Sequence, residues 1–310
     1  MNSDTKKIVI FGRGQVGTFY RDYFSAKGFE VVQPEADIRS YEAVEQAIKE
    51  TNPKFVIDSA GKTNIDWCEQ NKLECFEVNV LGADNIAQAC QKLGVYLIHL
   101  SSGCIFESKS AEQSFSEEDL PNPLCFYAWT KVWGDNLLMD RATRHGLKVL
   151  ILRPRQLLSS MVSPRNALTK MLTYTKFIDT DNSCTVVEDL MFATDELIKQ
   201  QATGIYNVSN PGITSPYKIA QKLKEIIKPE MQLEVISKED LNKMTLAIRI
   251  DTVLKTDKLE KAGVHLRDLN ERLPEIINDL KENLAKGGSE AAMAETEKET
   301  AAKLSYAGKQ

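Results

Sequence analysis

Five apolar runs of strand length alternate with stretches of helical periodicity through the first half of this 310-residue chain, and that alternation admits few folds. The runs are Lys7–Phe11, Glu30–Val32, Lys54–Ile57, Val95–Leu100 and Lys148–Leu152. Amphipathic patterns lie between or beside them at Gln15–Lys27, Ser40–Glu50, Glu74–Leu93 and Phe126–His145. Strand–helix alternation implies right-handed βαβ units and a mainly parallel sheet covered on both faces. The first junction reads Gly12-Arg13-Gly14-Gln15-Val16-Gly17, a GxGxxG that closes a strand and opens a helix. Glycines there let backbone N–H groups approach a pyrophosphate at a helix N-terminus. A merely tight strand–helix turn is the blander reading, and the flanking strand and helix argue against it.

The expected fold class is therefore α/β, a doubly wound parallel sheet of Rossmann type with a smaller α/β substrate-binding lobe. Residues 1–153 form the NADP-binding part, rejoined by part of 184–205, and 154–285 the substrate lobe. Beyond Arg153 the texture changes: Pro154, Ser159-Ser160 and Ser163-Pro164 mark loop, with a helix starting near Asn166. Gly204–Val208 reads as a strand, Ser215–Ile227 as a helix capped by Thr214 or Ser215, and Leu269–Leu284 as another helix. Residues 286–310 are rich in Ala, Glu and Lys with few large apolar groups, which predicts a flexible tail or a loosely docked helix.

Composition removes several classes. A net charge of −5 gives no basic footprint for nucleic acid or an anionic membrane. No apolar run approaches the ~20 residues of a membrane span, and Met1-Asn2-Ser3-Asp4 does not open a secretory segment. The six cysteines (Cys68, Cys75, Cys90, Cys104, Cys125, Cys184) are scattered, without CxxC pairs or His partners at metal spacing. That argues against a zinc site and a disulfide scaffold, and the expected location is cytoplasmic.

Cofactor choice turns on the end of the second strand, where a reader of the ribose 2′-OH would be acidic. Here Val32 is followed by Gln33 and Pro34, while Arg13 inside the glycine loop is suited to a 2′-phosphate. NADPH is the expected cofactor; Glu35 keeps NADH open. Asp37 and Ile38 are expected to flank the adenine, and Ser59-Ala60-Gly61, small residues closing the third strand after Asp58, to let the cofactor pass. Asp66-Trp67-Cys68-Glu69 reads as packing at a helix start. Asn79 either orients the catalytic loop through backbone hydrogen bonds or is a buried structural amide.

Ser101-Ser102 ends the fourth strand, and Tyr127-Ala128-Trp129-Thr130-Lys131 follows on a helix. Tyr and Lys four apart share one face. The ammonium should favour the phenolate and draw a phenol of ordinary pKa ~10 toward usable acidity. Ser102 can hold a carbonyl oxygen beside that phenol. Such a trio delivers a proton to a ketone during its reduction. Any YxxxK can be a surface Lys beside a core Tyr; the Ser-Ser strand end and the glycine loop upstream make the catalytic reading the better one.

With these residues in place the chain resembles the extended short-chain dehydrogenase/reductase superfamily. Within it, the likeness is to the dTDP-4-dehydrorhamnose reductase-like group, and in particular to the 3,5-epimerase/4-reductase domain of plant and giant-virus UDP-rhamnose synthases. Asn64-Ile65-Asp66-Trp67-Cys68-Glu69, Gly103-Cys104-Ile105-Phe106-Glu107, Pro164-Arg165-Asn166 and Asn207-Val208-Ser209-Asn210-Pro211-Gly212 carry it, over about residues 6–280. Simple rhamnose reductases have an Asp-Tyr pair where this chain has Gly103-Cys104.

The resemblance implies that Ser102, Tyr127 and Lys131 are a reductase triad. It makes Cys104 an epimerase cysteine and Lys170 its partner, with Arg165 and Asn166 near the substrate and Arg249 meeting the nucleotide diphosphate. Two departures stand out. The family's glycine loop is usually GxxGxxG, and its Gly-Trp pair is Gln15-Val16 here; an expected Leu-Asp is Leu254-Lys255.

A thiol of ordinary pKa ~8.5 on one face of a 4-keto sugar and an ammonium on the other can exchange protons through an enolate. Cys104 as a buried filler is the alternative. The expected activity is thus NADPH-dependent 3,5-epimerisation and 4-reduction of a nucleotide-4-keto-6-deoxyhexose, with UDP- or dTDP-4-keto-6-deoxyglucose as substrate. A simple 4-ketoreductase and a cofactor-binding regulatory subunit remain as alternatives. No metal, nucleic acid or membrane partner is expected, and a homodimer is allowed.

Overall fold

The computed structural model describes residues 6–110, 112–286 and 290–298. Ten strands occur in it: β1 Lys7–Phe11, β2 Glu30–Val32, β3 Phe55–Asp58, β4 Tyr96–Leu100, β5 Val149–Pro154, β6 Leu157–Leu158, β7 Lys176–Phe177, β8 Thr185–Val186, β9 Gly204–Val208 and β10 Glu234–Val235. Six of them form one sheet in the order β2-β1-β3-β4-β5-β9, every pair parallel. The chain runs from β1 outward to β2 and then crosses back to β3. The order therefore reverses at β1/β3, and the crevice outside the carboxyl ends of those strands is where such sheets bind ligands.

Burial on both faces explains why these strands read as unbroken apolar runs rather than as alternating ones. In β1, Ile8 and Ile10 pack on one face while Val9 and Phe11 pack on the other. The first face is covered by helices α1 (Gln15–Ala26) and α8 (Val187–Lys199), with Tyr20, Phe24, Leu190 and Leu197 turned inward. The second is covered by α2 (Tyr41–Thr51), α5 (Ala83–Leu93) and α6 (Phe126–His145), through Val44, Ile48, Ile86 and Leu138.

Short helices α3 (Ile65–Gln70) and α4 (Lys72–Phe76) precede a π-helical turn at Glu77–Gly82. That turn interrupts the helix expected over 74–93. π-bulges of this kind recur at functional sites, and this one carries Asn79.

The second lobe has its own core, around Leu158, Leu168, Phe177, Val186, Leu223 and Ile277. It is built on two short parallel pairs, β6 with β8 and β7 with β10. Helices α7 (Ala167–Met171), α9 (Pro216–Ile226) and α12 (Leu269–Ala285) supply most of its packing. Caps set several of these helix starts: Asn166 accepts from Leu168 N, Ser215 from Lys218 N and Asp268 from Asn270 N. Two further short helices, α10 (Lys238–Lys243) and α11 (Asp257–Lys261), had no clear signature in the sequence.

Of the expected flexible tail over 286–310, residues 290–298 are helical, and Met293 packs against the second core. The remainder, apart from Lys286, lies outside the described residues. Among the described residues no helix is long and apolar enough to cross a membrane.

Candidate active site

The glycine loop is fixed by steric demand. Gly12 has φ +101, and a Cβ there would lie 2.7 Å from Ala60 N; one on Gly17 would lie 2.1 Å from Gly12 O. Gly14 differs, since an added Cβ would meet nothing nearer than Arg165 Nη1 at 3.7 Å. Gly14 is also the N-cap of α1 and offers no side-chain acceptor to the first-turn N–H groups. An open approach to uncapped N–H groups at a helix N-terminus suits an anionic pyrophosphate. The residues present therefore fit a dinucleotide.

Gln33 closes β2 by donating from Nε2 to Gly12 O at 3.1 Å and Gly17 O at 3.3 Å, tying that strand end to the loop. Arg13 reaches the same edge: Nη2 donates to Gln33 O and Nη1 to Glu35 Oε1, each at 2.8 Å. The arginine also holds the exposed Glu35 carboxyl below its usual range. Ser59 donates from Oγ to Phe11 O, so Ser59 and Ala60 sit directly against the glycine turn.

Beyond β2, Ile38 is buried in the core against Gly82, and Asp37 is held by Arg39, which brings its carboxyl down to about 2. Ile38 points inward because Gly82, in the π-helical turn, leaves it room.

The residues singled out as a triad gather beyond the carboxyl end of β4. Ser102 closes β4 and accepts from Cys104 N at 3.1 Å, starting a single 3₁₀ turn over Gly103–Ile105. Tyr127 lies in the first turn of α6, packed among Cys68, Cys75, Cys125 and Ala247, with Cys104 against the same cluster. Its start is held by a carboxylate from α3, Glu69 Oε1 accepting from Phe126 N at 2.6 Å. This gives Glu69 a part beyond packing a helix start: it anchors the helix that presents the phenol. Asn64 caps α3, and Lys62 Nζ lies 4.8 Å from the Trp67 ring centroid.

Burial pushes the Tyr127 phenol well above its ordinary value, neighbouring Cys104 adds to this, and a hydrogen bond with Ser102 opposes it. This corrects the expectation that Lys131 draws the phenol toward ionisation. Lys131 donates from Nζ to Leu100 O at 3.0 Å, and burial pulls its own pKa down, with Asp58 and Asp135 opposing. Desolvation is the largest influence on the phenol. The result is a phenol that keeps its proton, which is the form a proton donor requires.

Asn79 accepts from Lys62 N at 2.7 Å and donates to Lys62 O and Thr130 Oγ1, each at 3.0 Å. It ties the loop after β3 to α6. Gly61 in that loop lies beside it; an added Cβ there would be 3.2 Å from Asn79 Oδ1 and 3.8 Å from Lys131 Nζ.

A cavity of about 280 Å³ opens beside these groups toward the second lobe. Cys104 and Arg155 lie on its wall with Arg249, and Ile65, Tyr174 and Phe177 give it an apolar side. Cys104 is partly exposed to it, whereas Cys68, Cys75 and Cys125 are buried.

The substrate-side expectations divide. Arg249 lines the cavity, but its Nη2 meets Asp66 Oδ2 of α3 at 2.5 Å. Asn166 is 1% exposed, and its amide donates to Ser159 O and Met161 O, so it holds its own loop. Arg165 reaches across to the glycine loop, its Nη1 beside Gly14. Lys170 is half-buried on α7, whose Met171 lines the cavity. Leu254 packs on Gly103, and Lys255 is exposed.

Sequence reasoning missed Arg155, which donates from Nη1 to Cys104 Sγ at 3.0 Å. Its one signal was position, directly past the carboxyl end of a central strand.

The family model described as the RmlD substrate binding domain matches residues 6–282. The chain is 31% identical over 287 residues to the bifunctional dTDP-4-dehydrorhamnose 3,5-epimerase/dTDP-4-dehydrorhamnose reductase of Arabidopsis thaliana, covering 89% of this chain and 94% of that one. It is 32% identical over 278 residues to a trifunctional UDP-glucose 4,6-dehydratase/UDP-4-keto-6-deoxy-D-glucose 3,5-epimerase/UDP-4-keto-L-rhamnose-reductase of the same plant. That match takes in 86% of this chain but only 41% of the longer protein. Among solved structures, the L780 UDP-rhamnose synthase of Acanthamoeba polyphaga mimivirus superposes with a TM-score of 0.81 at 29% identity, over 88% of this chain and 99% of that one. A dTDP-4-dehydrorhamnose reductase of Clostridium acetobutylicum shares the fold, with a TM-score of 0.79 at 23% identity over 89% of this chain and 99% of the other.

Proposed function

The chain belongs to the RmlD substrate-binding-domain family, and from that premise we propose that it is an NADPH-dependent 3,5-epimerase/4-reductase of a nucleotide-4-keto-6-deoxyhexose. The observation that carries this is Cys104 on the wall of a cavity, packed against the cluster that holds Tyr127 and bonded through its N–H to Ser102, near a glycine loop that fits a dinucleotide. A ketone reductase needs Ser102 and Tyr127. The cysteine has no part in reduction, and proton exchange next to the ketone gives it one.

The 4-keto group acidifies the hydrogens at carbons 3 and 5. Cys104 takes one of them: the C–H bond breaks, an S–H bond forms, and the electron pair moves to the carbonyl oxygen as an enolate. Ser102 is placed to hold that oxygen by hydrogen bonding. Lys170 is proposed to return a proton from the opposite face, which inverts the carbon. Tyr127 later delivers its proton to the same oxygen when carbon 4 is reduced; the dinucleotide supplies the hydride for that step. Lys131 and Asn79 keep the phenol's helix and the β3 loop in register. Ile65, Tyr174 and Phe177 give the cavity an apolar side against which the 6-deoxy carbon would rest.

The preference for NADPH rests on Arg13. Its guanidinium is held at the end of β2 by Gln33 O and Glu35, where a 2′-phosphate would compete with the exposed Glu35 carboxylate for it. Arg13→Ala is expected to raise KM for NADPH by about tenfold, the size of a lost charge-assisted hydrogen bond, while KM for NADH moves little. Glu35→Gln should lower KM for NADPH. Steady-state kinetics with both cofactors decides it, and an Arg13→Ala enzyme with unchanged preference would refute the assignment.

The function itself is tested by incubating the protein with NADPH and UDP-, dTDP- or GDP-linked 4-keto-6-deoxyglucose or -mannose, with NMR of the product. Cofactor oxidation with an L-rhamno-configured product is expected. Reduction without inversion at carbons 3 and 5 would leave a simple 4-ketoreductase, and no turnover with any base would leave a non-catalytic cofactor-binding role.

A further inference from the structure

Cys104 does not stand alone in its wall of the cavity. Arg155 donates from Nη1 to Cys104 Sγ at 3.0 Å, and its Nη2 donates to Asn182 Oδ1 and to Ile250 O, both at 2.7 Å. These bonds fix the plane of the guanidinium. Asn182 is 2% exposed, accepts from Thr252 N and donates to Asp251 Oδ1, each at 3.0 Å. The fork facing the sulfur is thereby set from behind.

The backbone on both sides of this contact is shaped for it. A Cβ on Gly103 would fall 3.4 Å from Arg155 Cβ and 2.7 Å from Leu254 Cδ1. Glycine ahead of the cysteine is what lets Leu254 pack on the turn, with the arginine stem in contact alongside. Gln156, the next residue after Arg155, has φ +40, a left-handed conformation that a side-chain-bearing residue adopts only when its surroundings enforce it. Thr185 does so from β8: its Oγ1 accepts from Arg155 N at 3.0 Å and its N donates to Gln156 O.

We infer that Arg155 is the positioning residue of the epimerase half-reaction, aiming Cys104 Sγ at the substrate and supplying the countercharge for the thiolate that removes the proton. The inference rests on the reading of Cys104 as the proton-exchanging base. A thiolate is the basic form of cysteine, and an adjacent fixed cation favours it. When the C–H bond breaks and the S–H bond forms, the guanidinium loses its anionic partner while the electron pair settles on the carbonyl oxygen. When that proton leaves to solvent the pair re-forms, so no electrons are gained or lost over the cycle.

The other ionisable groups near the sulfur have different offices. Tyr127 and Cys125 face it from α6 and its cap. Lys176 of β7, Arg249 and Asp251 share the cavity wall, with Arg249 held by Asp66 and Asp251 by Lys238. Among the described residues Arg155 is the cation hydrogen-bonded to Cys104.

Two variants separate charge from scaffolding. Arg155→Lys keeps the cation, whereas Arg155→Gln keeps a donor of similar reach without charge, and a purely structural tie to Asn182 and Ile250 would suffer alike in both. Deuterium wash-in at carbons 3 and 5 of a 4-keto-6-deoxy substrate is followed together with reduction of substrate epimerised beforehand. Arg155→Gln is expected to slow exchange tenfold or more beyond any loss in reduction. Arg155→Lys should recover most of the exchange. Equal behaviour of the two variants, or exchange and reduction falling together, would overturn the inference. Exchange at the wild-type rate in Cys104→Ala would overturn the reading of the cysteine itself. Exchange lost in Cys104→Ala but intact in Arg155→Gln would overturn the arginine's part alone.

Discussion

Tyr127→Phe is expected to lose reduction by ~10²–10⁴-fold in kcat, the usual contribution of a positioned general acid, while binding cofactor and unfolding near the wild-type temperature. The fold should tolerate the change because the ring does the packing. It sits 7% exposed among Cys68, Cys75, Cys125 and Ala247, and phenylalanine keeps the whole of that ring. The hydroxyl removed is the proton source. Burial holds that phenol protonated far above neutrality, so wild-type reduction should show no loss from Tyr127 ionising between pH 6 and 9. Product formation monitored by NADPH oxidation, with substrate epimerised beforehand, reads the effect directly. A variant keeping more than about a tenth of wild-type turnover would show that another group delivers the proton.

That prediction draws on a site only half legible in the sequence. The doubly wound sheet was readable because a parallel sheet buried on both faces leaves apolar runs such as Lys7–Phe11 and Val149–Pro154 separated by amphipathic helices. Gly12 and Gly17 were readable because a left-handed φ at one and a backbone contact at the other leave no other residue type. Ser102, Tyr127 and Lys131 were recognisable by spacing, but the electrostatics were not: how deeply a phenol is desolvated depends on cysteines brought in from α3 and α4, far away in sequence. Asn166 and Ile38 could be placed on the correct elements, yet which way each side chain turns is decided by the loop it caps or the glycine it packs on. Arg155 had no local pattern at all. Its contact with Cys104 crosses 51 positions and is set by Asn182 and Ile250, further still along the chain.

Cys104→Ala should divide the two chemistries cleanly. In deuterated water with oxidised cofactor, the wild-type protein is expected to wash deuterium into carbons 3 and 5 of a 4-keto-6-deoxy sugar nucleotide, and the alanine variant to lose that exchange by ~10²-fold or more. The same variant should still reduce a substrate whose carbons are already inverted, because the sulfur's work ends before hydride arrives. Tyr127→Phe is the mirror case, exchanging protons while unreduced ketone accumulates. The separation is physical rather than formal. Cys104 sits on the 3₁₀ turn after β4 and opens to the cavity beside Arg155, whereas Tyr127 lies on α6 with its hydroxyl beside Ser102. One ketone oxygen serves both, as the enolate's charge during exchange and as the proton's destination during reduction, so the two sets of residues must converge on it from different elements. Cys68 and Cys75 are buried away from the cavity; Cys125 is buried as well but forms part of its wall, so a Cys125→Ala variant belongs beside Cys104→Ala as the control. Exchange persisting at the wild-type rate in Cys104→Ala would reduce this cysteine to a packing residue and leave the reductase chemistry standing by itself.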